Sequence, residues 1–188
     1  MKKSYATVAF IFLVLVALMA GKNVSAQLPF GKAPGVAAAL SVQPDLTGLC
    51  PGSTVTVPVH ISGDNVLSLN LYLEFDHNVL ARGPGAGYSN LYTNFNALYN
   101  YNYSATYPTV AFLDIQSNDL VGTNFDNDLL INLVFIYQGG STAIHFRRAP
   151  DPTPPPVCKM FDEFGSQITP VTYTDATVSG YPNLAVGN

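Results

Sequence analysis

An acidic and amide-rich segment, residues 114–128, is the first place in the chain where closely spaced side chains could do chemistry. It reads DIQSNDLVGTNFDND. Calcium prefers carboxylate, amide and backbone oxygens from flexible loops, although the EF-hand spacing with its central glycine and final glutamate is missing here. The segment is therefore either an ordinary polar loop or a structural calcium site, and calcium is the one cofactor that the sequence suggests. The predicted ligands are Asp114, Asp119, Asp126 and Asp128.

A second segment with binding chemistry, residues 88–107, combines tyrosines with asparagines and serines. Flat aromatic rings can pack on sugar rings, while amide and hydroxyl groups hydrogen-bond sugar hydroxyls. The same rings could instead pack the segment onto the protein or contact a protein partner, because tyrosine is amphipathic and enriched at interfaces. Polysaccharide is thus one predicted ligand. The tyrosines concerned are Tyr88, Tyr92, Tyr99, Tyr101 and Tyr103.

The three histidines, His60, His77 and His145, do not form a catalytic pattern. None lies in the His-Glu-x-x-His spacing of zinc proteases, and no Gly-x-Ser-x-Gly nucleophile motif is present. A glycosidase needs two facing carboxyl groups, and no motif marks such a pair here. We therefore predict surface histidines and a protein that is not an enzyme.

The N-terminus has the composition of an export signal. A short basic head precedes an apolar run, Val8 to Ala20, and the small-residue tripeptide VSA follows at 24–26. We predict a signal peptide over residues 1–26, cleaved before Gln27, and hence a secreted protein that is extracellular or at the cell surface. The alternative is a membrane anchor, but the apolar run is short of the roughly 20 residues that span a bilayer.

The charge of the chain argues against two classes of partner. The whole sequence has 8 basic and 12 acidic side chains, and loss of the signal peptide with its three lysines would leave five basic ones and a net charge of −7. Nucleic acids and anionic lipid surfaces attract basic proteins. We therefore predict no nucleic-acid partner and, after signal cleavage, no membrane association.

The two cysteines, Cys50 and Cys158, are far apart in the sequence. Exported proteins meet an oxidising environment, in which free exposed thiols do not persist. We predict a disulfide between them that closes most of the domain, with two separate buried thiols as the alternative.

Alternation of apolar and polar residues dominates the chain after residue 38. The stretch VLSLNLYLEFDHNVL (66–80) and the preceding STVTVPVHIS (53–62) both place apolar side chains at every second position. This period of two puts the apolar side chains on one face of a sheet. The intervening GDN is a turn signal, so the two stretches are predicted to form a hairpin.

Later segments complete an all-β pattern. Residues 109–115 and 128–138 are apolar on both faces, which is typical of central strands. QGGST (138–142) predicts a tight turn and a second hairpin. Short strands with frequent turn residues indicate an antiparallel β-sandwich, because each sheet then buries one face against the other.

Four stretches of this pattern resemble the cohesin family and the related carbohydrate-binding modules. They are GSTVTVPVHISG, LSLNLYLEFDHNVL, LLINLVFIYQGGSTAIHF and CKMFDEFGSQITPVTYTDATVS. Members share an alternating strand that ends in an aromatic-Asp pair followed by Val-Leu, and a late Asp-x-x-Gly-x-x-Ile turn. The matching residues here are Phe75, Asp76, Val79, Leu80, Asp162, Gly165 and Ile168. The resemblance covers about residues 39–179.

The resemblance implies a jelly-roll sandwich of about nine strands that is not an enzyme. It implies a domain over 39–180, with a loose leader at 27–38 and a short tail at 181–188. Cohesins bind a partner module, dockerin, on the outer face of one sheet. By position, the residues on or near that face are Ser68, Asn70, Tyr72 and Glu74. The alternative for these four is that they are merely solvated.

The sequence thus predicts a secreted, non-catalytic recognition module of cohesin type, whose partner is a dockerin-like or other protein. One alternative is a carbohydrate-binding module that uses segment 88–107. Another is a structural component of the cell envelope.

Overall fold

The computed structural model describes residues 38–43, 45–149, 151 and 156–181. The predicted signal peptide (1–26), nearly all of the leader and nearly all of the tail lie outside the described residues. Residues 150 and 152–155 of the proline-rich stretch RRAPDPTPPPV (147–157) also lie outside them. Within the described residues there is no helix that is long and apolar enough to cross a membrane.

Every regular element in the described residues is a β-strand. This confirms the predicted all-β class, with twelve short and long strands where about nine were predicted. The strands are β1 (Ala38–Val42), β2 (Leu46–Leu49), β3 (Thr54–Glu74), β4 (Leu80–Arg82), β5 (Tyr88–Ser89), β6 (Phe95–Asn100), β7 (Val110–Ser117), β8 (Thr123–Tyr137), β9 (Ser141–Phe146), β10 (Lys159–Asp162), β11 (Val171–Thr174) and β12 (Ala176–Gly180).

The two alternating stretches at the start of the domain form one strand, β3, so the predicted hairpin at GDN is wrong. The chain passes this point without reversing, with a φ of 147° at Gly63 and 58° at Asn65. The register against β8 shifts on either side of Gly63. Such bulges bend a strand and re-aim its side chains. β3 can therefore contribute its two halves to different groups of strands.

Pairing around the two halves of β3 builds the β-sandwich. The first half pairs with β1 and β8, and β8 pairs in turn with β4 and β5. The second half pairs with β7 and β10, and β7 pairs with β6. The end of β3 also pairs with β9, which continues to β12 and β2. Most pairs are antiparallel, but β1–β11 and β2–β12 are parallel, so the sheet is mixed.

The core lies between these groups of strands and confirms the alternation predicted for β3. Leu69, Leu71 and Leu73 have no exposed surface, and Val59 from the first half has none either. Burying one such side chain stabilises a fold by roughly 1.5–3 kcal/mol. The face of β3 opposite to these leucines is therefore the one that can meet a partner.

The QGGST segment does not make the predicted hairpin between β8 and β9. Gly139 and Gly140 have positive φ values of 117° and 91°, which glycine adopts without strain. β9 pairs with β12 and with the end of β3, and not with β8. The turn therefore carries the chain from one group of strands to another.

Candidate protein-binding face

The outward side of four adjacent strands, β10, β3, β7 and β6, forms a continuous surface that we call the outer face. Their opposite sides carry buried residues such as Met160, Leu71, Leu113 and Phe95. Antiparallel register aligns the outward residues in rows across the strands. The outward residues are Lys159 and Phe161 of β10, Ser68, Asn70, Tyr72 and Glu74 of β3, Phe112, Asp114 and Gln116 of β7, and Asn96, Leu98 and Asn100 of β6.

One row crosses the middle of the outer face. Lys159 is opposite Asn70, which is opposite Asp114, which is opposite Leu98. The Asn70 Nδ2 donates a hydrogen bond of 3.0 Å to the Asp114 Oδ1. The Leu98 side chain is 64% exposed and gives this row an apolar patch that solvent can reach. The next row, Phe161, Ser68, Gln116 and Asn96, carries no charge.

An aromatic group covers one end of the outer face and buries Tyr72. The Tyr72 ring stacks on Phe112 at a centroid distance of 4.8 Å and meets the edge of Tyr103 at 5.3 Å. Only 9% of Tyr72 is exposed, and this burial raises the pKa of its phenol. Neighbouring rings therefore cover Tyr72 and leave little of its surface for the predicted contact with a partner.

The other three predicted contact residues, Ser68, Asn70 and Glu74, differ in the side-chain interactions that they make. Ser68 and Asn70 are half-buried on the outer face, and Asn70 is held by Asp114. The Glu74 Oε2 accepts a hydrogen bond of 2.7 Å from the buried guanidinium of Arg147. That contact anchors the chain after β9 to the end of β3. Glu74 is thus a structural ion-pair partner at the rim.

Sequence reasoning missed the β6 part of the outer face. No strand is predicted in segment 88–107 from the sequence, whereas residues 95–100 form strand β6. The signal was present as alternation in FNALYN: Phe95 is buried, while Asn96, Leu98 and Asn100 are exposed. The abundance of tyrosine and asparagine, residues common in loops, obscured this period of two.

The tyrosines of the predicted sugar site pack on the domain and do not form one platform. The Tyr92 ring packs against Phe125 at 4.9 Å, and the Tyr88 hydroxyl donates to the Ala97 carbonyl at 3.1 Å. Burial raises the pKa of Tyr101 to about 12, and its hydroxyl donates to the Leu80 carbonyl. Burial also raises the pKa of Tyr99.

The four carboxylates of the predicted calcium site are engaged locally and do not converge. Asp114 accepts from Asn70, Asp119 accepts from the Ser117 hydroxyl, and Asp128 accepts from the backbone N–H of Asp126. Within the described residues, no three His, Cys, Asp or Glu side chains lie close enough to hold a metal ion. Their geometry therefore gives no support to the predicted site, which strand pairing divides between β7, the turn after it and β8.

Cys50 and Cys158 are both free thiols, so the structure does not contain the predicted disulfide. Cys50 is exposed in the turn after β2, whereas Cys158 is buried beside β3. The Cys158 Sγ accepts a hydrogen bond from the Tyr72 N–H at 3.2 Å and donates one to the Tyr72 carbonyl at 3.3 Å. Burial raises the pKa of this thiol to about 12, which leaves it protonated and inert.

The histidines do not converge on a catalytic arrangement, and each is half-buried. The His60 Nδ1 lies 3.1 Å from the Asn127 carbonyl oxygen. The His77 ring lies between Phe75 and Tyr101 at centroid distances of 4.5 and 4.1 Å, and burial lowers its pKa. The His145 ring lies between two carboxylates, 2.8 Å from Asp175 and 2.9 Å from Asp151.

Solved structures identify the fold. The type II cohesin domain from the cellulosome of Acetivibrio cellulolyticus superposes with a TM-score of 0.55 and 14% identity, over 76% of this chain and 95% of that domain. The fold is that of a cohesin module. Two cohesins solved with dockerins also match. The OlpC type I cohesin of Clostridium thermocellum has a TM-score of 0.54 at 13% identity, covering 80% of this chain and 98% of that one.

The other is the sixth cohesin of scaffoldin B from Acetivibrio cellulolyticus. It matches with a TM-score of 0.51 at 17% identity, over 77% of this chain and 99% of that one. No protein-family model matches the sequence, and no curated protein matches it. At these identities the cohesin likeness establishes the fold alone.

Proposed function

We propose that this protein is an exported, non-catalytic recognition module that binds a protein partner, dockerin-like in kind, through the outer face. The observation that carries the proposal is a four-strand surface with Leu98 exposed beside amide side chains, on a fold shared with cohesins. Two of the matching cohesins were solved in complex with dockerins. The export part of the proposal is supported by the apolar N-terminal run and the cleavage tripeptide at 24–26.

The composition of the outer face suits a protein partner. Interface centres are depleted in charge and enriched in aromatic and apolar side chains. Here Leu98 and Phe161 supply apolar surface, Asn96 and Gln116 supply exposed amides, and Lys159 is an exposed cation. Such a surface matches an amphipathic partner that offers apolar side chains together with hydrogen-bonding ones.

Binding is favoured over catalysis because the carboxylates of the outer face are already engaged. Asp114 accepts from Asn70, and Glu74 accepts from Arg147. A glycosidase pair would need two free carboxyls that face each other across a cleft. The outer face is a sheet surface whose carboxylates hold neighbouring side chains in place.

The test is a binding assay with an introduced charge. Leu98→Asp places a carboxylate directly opposite Asp114, so it adds like-charge repulsion and removes the apolar contact. We expect the affinity for a partner recovered from the secretome, or for a panel of purified dockerins, to fall at least about tenfold, equivalent to 1.4 kcal/mol. Isothermal titration calorimetry or biolayer interferometry measures the change.

Thr56→Asp is the matched control. Thr56 is also exposed on a strand, but it lies on the first half of β3, away from the outer face. It should leave the affinity unchanged. Full binding by a folded Leu98→Asp variant would place the interface elsewhere and contradict the proposal.

A further inference from the structure

The fold also has a concave surface, which lies outside the outer face. A cleft of about 740 Å³ opens where β2, the end of β8, the start of β9 and the end of β12 meet. Its volume falls within the range of small-molecule binding sites. None of its lining residues belongs to β10, β3, β7 or β6. Its chemistry can therefore be judged independently of the proposed protein contact.

An exposed aromatic ring forms one wall of the cleft. Tyr181 is 70% exposed. Its ring lies against the backbone of Gly48, where a built Cβ would be 3.1 Å from Tyr181 Cε1 and 3.3 Å from Cζ. The φ of Gly48 is +69°. Glycine is therefore favoured there both by this backbone conformation and by the close approach of the Tyr181 ring. The ring is thus braced on one side by backbone while most of its surface remains in solvent.

Glycine residues, which have no side chain, keep the floor of the cleft open. A Cβ on Gly180 would lie 2.5 Å from the Tyr137 hydroxyl oxygen, closer than any real contact. Tyr137 is buried, and its hydroxyl donates to the Gly140 carbonyl at 2.7 Å. Any larger residue at position 180 would displace this tyrosine. The hollow is therefore a built feature of the fold.

The described residues at the rim of the cleft offer hydroxyl groups and no charge. Thr47, Ser141 and Ser179 line it, together with the glycines and the two tyrosines. Within the described residues, none of these three side-chain hydroxyls is engaged in a hydrogen bond. Each can therefore donate to and accept from a ligand. The described residues of the lining include no lysine, arginine or carboxylate, so they favour a neutral ligand.

We propose that this cleft binds a neutral carbohydrate, with a sugar ring packed on Tyr181 and its hydroxyls bonded to Thr47, Ser141 and Ser179. A sugar has a flat C–H face for an aromatic ring and many hydroxyls for short polar side chains. This assigns carbohydrate binding to β2, β9 and β12 and not to the tyrosines of segment 88–107.

Affinity electrophoresis in native gels tests the proposal. The probes are the neutral polysaccharides hydroxyethylcellulose, xylan, galactomannan and glucomannan, with polygalacturonate as the anionic comparison. At least one neutral polysaccharide should retard the protein, and polygalacturonate alone should not. Tyr181→Ala should raise the dissociation constant about tenfold, whereas Tyr181→Phe, which keeps the ring, should retain binding.

Two controls separate this site from other surfaces. Phe164→Ala removes another highly exposed aromatic ring, 80% exposed in the turn after β10, and should not change retardation. Leu98→Asp, which tests the protein contact, should also leave it unchanged. The proposal is overturned if no neutral polysaccharide retards the protein, if polygalacturonate alone does, or if Tyr181→Ala is retarded as strongly as the unaltered chain.

Discussion

His145 is held between two carboxylates in a way that requires its charged form. Its Nδ1 lies 2.8 Å from Asp175 and its Nε2 lies 2.9 Å from Asp151. Carboxylates only accept hydrogen bonds, so both ring nitrogens must carry protons. Burial alone would lower the pKa of His145, but the hydrogen bonds and charges of the two aspartates outweigh it, and the pKa is raised.

The pH dependence of stability follows from this raised pKa. A histidine whose folded pKa lies above its unfolded value of about 6.5 contributes its full stabilisation below that pH and loses it as the pH rises through the folded pKa. We expect His145→Gln to lower the free energy of unfolding by about 1 kcal/mol at pH 5.5, and by less at pH 8.5. Urea unfolding at both pH values measures this.

A matched substitution makes the result specific to the two carboxylates. His60 lies near a backbone carbonyl, that of Asn127, and within the described residues it forms no ion pair with a carboxylate. His60→Gln is therefore the control for loss of an imidazole that does not lie between two carboxylates. If His145→Gln cost the same free energy at pH 5.5 and pH 8.5, the imidazolium would not be stabilising the fold.

At this scale the sequence predicts residue types but not their neighbours. The alternation correctly put Tyr72 on the outward side of β3, yet Phe112 and Tyr103 cover it. The oxidising environment of exported proteins is the basis for predicting a bond between Cys50 and Cys158. In the structure the buried Cys158 thiol is instead hydrogen-bonded to the backbone of Tyr72. Such contacts join residues far apart in sequence, so no local pattern can reveal them.

The β3 strand is the element that the sequence predicts best. Its period of two holds over residues 55–61 and again over residues 69–73, because one side must be apolar along the core. Between these stretches the alternation is interrupted, since Val66 is buried and Leu67 is half-buried. What the pattern could not reveal is the continuity through Gly63 and Asn65, where turn-forming residues make bulges and not a reversal. Turn propensity is local, whereas the partners on both sides of β3 decide the path of the chain.

Truncating a central residue of β3 should show how much the core depends on it. Leu71 has no exposed surface and is opposite Leu113, which has none either. Leu71→Ala leaves a cavity at that point, and we expect it to cost about 2–5 kcal/mol of unfolding free energy. Chemical denaturation monitored by circular dichroism measures this loss.

Ser68→Ala provides the control on the same strand. Ser68 is half-buried on the outer face, and its replacement removes one oxygen without opening the core. Its effect should lie within about 0.5 kcal/mol. Equal effects of Leu71→Ala and Ser68→Ala would contradict the assignment of the two sides of β3.

The whole-molecule architecture was predictable as a class but not as a set of pairings. Alternating short strands and a pattern shared with cohesins predict the sandwich, and the structure confirms it. Both local hairpins proposed from turn residues are absent, because β3 continues through one and β9 pairs with β12 after the other. Parallel pairs such as β1–β11 join the two ends of the domain, and adjacent sequence carries no sign of them.

The same long-range pairing predicts that the domain unfolds as one unit. β3 is hydrogen-bonded to β1 and β8 through its first half, and to β7, β9 and β10 through its second. Releasing either group of strands exposes leucines or valines of β3 that belong to a single hydrophobic core. The chain has 11 tyrosines and no tryptophan, so tyrosine fluorescence can report on unfolding. Far-UV circular dichroism and tyrosine fluorescence should therefore give coincident urea transitions. Two separated midpoints would mean that the halves of β3 unfold independently and that the sandwich has two cooperative units.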